Sequence, residues 1–331
     1  MDDLANVQKG TEENVHAQMW TPETLEQHSW DYVHISPLRS LWQLKGVSAK
    51  EIVRRVWCGA DGDNLLGRAS QLAYSFFAAI FPALIAMSSL TGLVAKSSAH
   101  LYFVLLNKIG SLIPPSAFAL VTDTFRQTTS ASTRGKVTFG VLFALFSASV
   151  GVSALQDTLN AVYRVGETRP FWKARIEAMG LTLVVSVLAV LALLILLLGG
   201  LASYRIGNMF QGAIVLVAIF RVIYWGAACL LMILSIEVLY TFCPNVRHVW
   251  RWFTPGGCIA LLGWIAGSLG LRVYLHYFNT YSVTYGSLGA VIILLLWFYV
   301  TGVMILLGGE VNSEIEHAVA EKRMLEEERL S

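Results

Sequence analysis

The sequence predicts an all-α polytopic membrane protein, a bundle of six transmembrane helices with short amphipathic helices between the first two spans. Three observations carry that expectation. Hydrophobic residues make up 55% of the 331 residues and charged residues only 14%, against roughly 25% charged in a soluble domain. The apolar residues gather into runs of about 20 or more, enough to span a hydrocarbon core roughly 30 Å thick. Lys and Arg concentrate in alternate connections, the pattern that sets membrane orientation. Backbone groups in lipid must be satisfied within their own segment, so the spans are read as helices.

Residues 1–45 read as a flexible polar tail, acidic at its start and therefore unlike a cleavable signal peptide. Ser48-x-x-Glu51 is a capping-box pattern that opens a helix carrying Ile52, Val53, Val56 and Trp57. That helix is expected to lie along the membrane surface, and DGDN at 61–64 is read as a turn, since it lacks the other ligands of a calcium loop. The membrane domain covers 46–317. Its first span is placed at 69–95, with Pro82 expected to kink it.

Between 97 and 135, Leu101, Leu105, Ile109 and Leu112 recur at helical spacing. Pro114-Pro115 break the chain, and Ser116 starts a second set with Phe118, Val121 and Phe125. Two interfacial amphipathic helices are expected there, with a re-entrant hairpin as the competing reading. The second span is placed at 137–162, the third at 178–202, the fourth at 213–239, the fifth at 255–278 and the sixth at 285–311. Small residues at Gly140, Ala144 and Ala148, and the Gly263-x-x-x-Gly267 pair, suit close helix packing. Residues 318–331 form a charged tail.

Lys45, Lys50, Arg54, Arg55 and Arg68 precede the first span; Arg164, Arg169, Lys173 and Arg175 follow the second; Arg247 and Arg251 follow the fourth. Lys322, Arg323 and Arg329 follow the sixth. Both termini are therefore expected in the cytoplasm. The basic residues of the 97–135 connection oppose that orientation, but long connections obey the rule less strictly. The four cysteines show neither a C-x-x-C pair nor zinc spacing. The histidines are dispersed, and no P-loop, G-x-S-x-G or dinucleotide fingerprint occurs. No metal, cofactor or nucleic acid is expected; the basic residues are explained by topology.

Ionisable groups within spans are candidate functional residues because burying them is expensive. In the assigned topology Gln71 and Tyr74 share a depth with Gln156, Asp157 and Asn160, with Glu237, and with Glu310, Asn312 and Glu314. They are expected to line a polar cavity open to the cytoplasm; the alternative is that they are helix-end groups meeting headgroups. Arg221, deep in the fourth span, is expected to face the bundle interior or a wet pocket, with a role in substrate or anion handling. Glu314-x-x-His317 fits half of a carboxylate-bridged metal site, but no second half exists.

LAYSFFAAIFPALIAMSSLTG, ALQDTLNAVYRVGETRPFWKAR and YGSLGAVIILLLWFYVTGVMILLGGEVNSEIEH occur in that order. They resemble the YihY/virulence factor BrkB family of bacterial inner-membrane proteins, formerly mislabelled ribonuclease BN. Arg164, Glu167, Arg169, Phe171 and Trp172 form the basic loop within the second of these segments. The resemblance implies a multi-pass protein of the bacterial cytoplasmic membrane, with an envelope role and no defined reaction. The leading expectation is a permease, exporter or lipid-handling transporter and not an enzyme. The alternatives are a non-transporting scaffold for envelope machinery and, remotely, a membrane-bound ribonuclease. Membrane lipids are the implied partners, with envelope proteins in the scaffold reading; an oligomer is compatible with either.

Overall fold

A computed structural model describes residues 41–42, 47–97, 134–209, 214–246, 249–277 and 287–330. Among them lie seven helices and no strand: α1 (Ala49–Gly62), α2 (Leu65–Ser97), α3 (Arg134–Val162), α4 (Phe171–Met209), α5 (Ile214–Phe242), α6 (Pro255–Tyr277) and α7 (Ser287–Leu330). Four helical stretches, in α4, α5, α6 and α7, are long and apolar enough to cross a membrane. The expected amphipathic helices of the 97–135 connection fall outside the described residues, apart from its edges, as does most of the 1–45 tail. Leu41, near the end of that tail, is buried against α1 and α7.

The apolar helices do not hide their side chains inside the chain. Only 6% of the most apolar window of α5 is buried, and no such window exceeds 17%. A surface of that kind has no place in water and suits lipid. The core gathers instead at one end of the bundle. It joins Leu65, Ala69 and Leu72 at the start of α2 to Leu155, Leu159 and Val162 at the end of α3. Leu181 of α4, Val238 and Tyr240 of α5, Ala260 of α6 and Leu306 of α7 complete it. Within α2 and α3 these positions recur at i, i+4 and i+7, one helical stripe each.

Local chemistry sets the helix ends. α1 starts at Ser48, as expected, but the side-chain bonds of a capping box are absent. Glu51 instead accepts from Arg55 at 2.9 Å, and Arg55 also pairs with Glu321 of α7. Asp63 and Asn64 make the turn into α2, with Asn64 at φ 51°, a conformation Asn tolerates. α3 ends on Arg164 at φ 52°, closed by the Val165 amide donating to the Asn160 carbonyl at 2.8 Å. α2 runs through Pro82 as helix.

The close approach of α6 and α7 explains their glycines. A Cβ on Gly263 would sit 2.5 Å from the Met304 sulfur, and one on Gly267 would sit 2.6 Å from Val300. A Cβ on Gly256 would collide with the Gly308 carbonyl oxygen, which is backbone and cannot swing away. All four cysteines are free thiols.

Gly256→Ala is therefore expected to lower stability by about 1–3 kcal/mol, the cost of overpacking. Gly200→Ala, where a Cβ meets nothing within 4 Å, is expected to be neutral or slightly stabilising. Thermal unfolding of both purified variants in one detergent is the check.

Candidate functional site

Most of the buried polar side chains among the described residues lie at the core end of the bundle, where three groups stand out; Ser203, toward the other end of α4, is an exception. The first hangs on Thr254, the residue before Pro255 at the first position of α6. Its hydroxyl accepts the Gly257 amide at 3.0 Å, an N-cap bond. It also accepts from the Asn312 amide at 2.9 Å and donates to Glu237 at 2.8 Å. One donor and two lone pairs are thus all in use. The Glu237 carboxylate also takes the Thr254 amide at 2.7 Å, and the Asn312 carbonyl takes the Gly256 amide at 2.8 Å. This single knot joins α5, α6 and α7. Arg251 pairs with Glu316 beside it, both buried, and Ser313 donates to the Val162 carbonyl at 3.0 Å.

The second group locks the α3–α4 loop to the α5–α6 loop. Asn160, buried in α3, donates to Glu167 at 2.9 Å and accepts the Asn245 amide at 2.7 Å. Asn245 in turn donates to the Gly166 carbonyl and the Thr168 hydroxyl. Arg169 grips Glu167 with two nitrogens at 2.9 and 2.7 Å, Glu177 at 2.8 Å and the Cys243 carbonyl at 3.0 Å. The Arg169 hydrogen bonds hold the Glu167 carboxyl down at about 2, against the opposing pull of burial. Burial pushes the Cys243 thiol well up.

The third group lies between α1 and α7. Glu310 is 1% exposed, and neither of its carboxylate oxygens accepts a hydrogen bond. It abuts Gly59 of α1, where any Cβ would strike its Oε1. Glu314, one turn on, pairs with Arg164 at 3.3 Å, and Arg164 reaches Asp63 at 3.8 Å. An apolar groove of about 550 Å³ runs alongside, walled by Val56, Trp57, Ala60, Leu307 and Val311 among others.

Gln156, Asn160, Glu237, Glu310, Asn312 and Glu314 are buried; all but Gln156 fall into the three groups above. Gln156 has no partner for its side-chain nitrogen. Of the other candidates, Tyr74 is 71% exposed, Gln71 and Asp157 are exposed as well, and Arg221 is exposed where the bundle interior was one expected place for it. Arg221 faces outward because α5 packs through Phe220, Tyr224 and Ala228. One residue beyond Phe220 turns the side chain about 100° off that stripe. Asp157 is likewise next to the packed Gln156 and Thr158. In the basic loop, Phe171 and Trp172 face outward, and Pro82 lies where side chains are not described.

Sequence reading missed Thr254, Asn245, Glu316 and Asp63. The Thr-Pro pair before an apolar run was a legible helix-start signal; the partners of the other three depend on tertiary approach. Among the described residues, no group of three or more His, Cys, Asp or Glu side chains is arranged to hold a metal ion.

The Virulence factor BrkB family model matches residues 56–330. A ribonuclease-like protein of Bacillus subtilis is 36% identical over 247 residues, covering 74% of this chain and 88% of its own. A UPF0761 membrane protein of Tolumonas auensis is 26% identical, covering 79% of this chain and 83% of its own. Another from Paraburkholderia xenovorans is 26% identical over 56% of this chain, a match spanning 42% of that protein. No solved structure matches.

Thr254→Val leaves Glu237 and Asn312 short of a buried partner, and is expected to cost about 1–3 kcal/mol, whereas Thr254→Ser retains most of the stability. Thermal melts of both variants decide this. Glu167 has a lowered carboxyl pKa, so its contribution is present above its unfolded value near 4.5 and is lost as pH falls toward about 2. Wild-type stability should fall through that window more steeply than that of Glu167→Gln, read as melting temperature against pH.

Proposed function

Since the chain belongs to the virulence factor BrkB family of membrane proteins, we propose that it is a proton-coupled permease, exporter or lipid-handling transporter of the bacterial cytoplasmic membrane. Glu310 is its proton-carrying residue. The observation that carries this reading is the state of that carboxylate. It is buried, accepts no hydrogen bond and stands beside a second carboxylate, Glu314. A structural carboxylate in the same bundle looks different: Glu237 takes two donors from Thr254. Burying an ion without donors costs several kcal/mol, and a protein that keeps such a group gains from its ability to take up and release a proton.

In this reading α2 and α3, at 33 and 29 residues, complete six spans, and the core end of the bundle with both termini is cytoplasmic. The 550 Å³ apolar groove, lined by Leu307 and Val311 on either side of Glu310 in the chain though not by Glu310 itself, suits the hydrocarbon part of an amphipathic substrate. Asp63, Glu314 and Arg164 are the charged groups that face the carboxylate and respond to its change of charge. α1, which touches Glu310 through Gly59, is the element placed to move when that charge changes. No cofactor, metal or nuclease chemistry enters this mechanism.

Liposomes that hold the full chain, a trapped pH-sensitive dye and a panel of fluorescent phospholipids and solutes test the proposal. Wild-type protein is expected to move at least one probe in a manner that depends on the pH gradient. Glu310→Gln is expected to abolish the gradient-dependent part, while Asp157→Asn, at an exposed site, leaves it intact. Unchanged gradient-dependent transport by Glu310→Gln refutes the assignment. No transport by wild type across the panel favours a non-transporting envelope scaffold.

A further inference from the structure

We infer that a phospholipid with a net-negative headgroup binds in the groove between α4 and α5, its headgroup at Lys173 and its chains along Leu181, Val184 and Val238. The groove holds about 1130 Å³ and is bounded at its rim by the α3–α4 and α5–α6 loops. Its position suits an amphiphile. From Lys173 to Val184, the α4 backbone rises roughly 16 Å, about the depth of one hydrocarbon leaflet. The rim is polar, with Thr168, Arg169, Lys173 and Asn245, and the deeper wall is apolar, with Leu181, Val184 and Val238. Phe242 and Trp250 flank the passage between the two, the level at which aromatic side chains favour an interface.

Charge decides the class of headgroup. Arg169 is consumed by Glu167, Glu177 and the Cys243 carbonyl, and in the same contacts it neutralises Glu177, the carboxylate among the described lining residues. Among the described residues, no carboxylate pairs with Lys173, which is exposed at the mouth. α4 begins at Phe171 without an acidic residue in its first turn, so its positive dipole end reinforces the lysine. The rim therefore offers a cation that no described carboxylate compensates, above walls sized for acyl chains. The groove shares no residue with the Glu310 site, so either assignment can fail without the other.

The full chain in detergent, titrated with brominated phosphatidylglycerol or brominated phosphatidylcholine, tests this through quenching of Trp250. The Trp250 signal is obtained by difference from Trp250→Phe. Phosphatidylglycerol should quench at lower concentration than phosphatidylcholine. Lys173→Gln should reduce that preference about fivefold, the weight of one basic residue at an anionic surface. Gly180→Leu should weaken both lipids, because it fills the groove at a position where a Cβ meets nothing within 4 Å. Equal quenching by the two lipids overturns the inference, and so does an unchanged preference in Lys173→Gln. Displacement of the lipid by soluble glycerol phosphate overturns it too, since the site would then read a free anion.

Discussion

The hydroxyl of Thr254 is the point on which the arrangement of the last three spans depends. In lipid, apolar side chains gain nothing by leaving the solvent for a neighbouring helix, so association rests on close backbone approach and polar links. The Thr254 hydroxyl supplies the links for α5 and α7, while capping the α6 amide at Gly257. The glycines that follow supply the approach: Gly256 lies against the Gly308 backbone, and Gly257 against the Glu237 carboxylate. Replacing either with a larger residue would separate the helices that the hydrogen bonds join. The apolar remainder of each helix then faces lipid.

The buried polar side chains of the core end fall into two kinds. Those of the Thr254 knot and of the Asn160–Glu167–Arg169 lock hold helices and loops together through hydrogen bonds with good geometry. Glu310 belongs to neither. It sits between α1 and α7 with no donor, although Arg164 is close enough to serve its neighbour Glu314. Native structures leave few buried polar atoms unpaired, and those they leave are concentrated where chemistry or switching occurs. That contrast, within one end of one bundle, is the physical basis for separating a working carboxylate from structural ones.

Much of the fold was legible because hydrophobic runs of membrane length are a strong signal. The helices α4 to α7 fall where the runs fall, and the turn at Asp63–Asn64 and the Gly263–Gly267 packing follow from residue type alone. Depth was legible as well: the polar positions of α3, α5 and α7 do meet the same core end. Facing was not. Asp157 and Arg221 share a helix with buried polar residues, and Tyr74 shares one with buried Leu72 and Ala73, but all three turn outward, because one step along a helix rotates a side chain by about 100°. Which stripe packs depends on neighbouring helices. The same limit hid Arg251–Glu316 and Asp63–Arg164, pairs far apart in the chain. The capping box failed for a related reason, since Glu51 found a better partner in Arg55.

The central claim is that Glu310 is kept for function and not for stability. Comparing the unfolding of Glu310→Gln and Glu237→Gln in nanodiscs at neutral pH tests it most directly. The account predicts that Glu310→Gln is at least as stable as wild type, because no donor loses a partner, and that Glu237→Gln is clearly less stable. A loss of stability in Glu310→Gln equal to that in Glu237→Gln would contradict it.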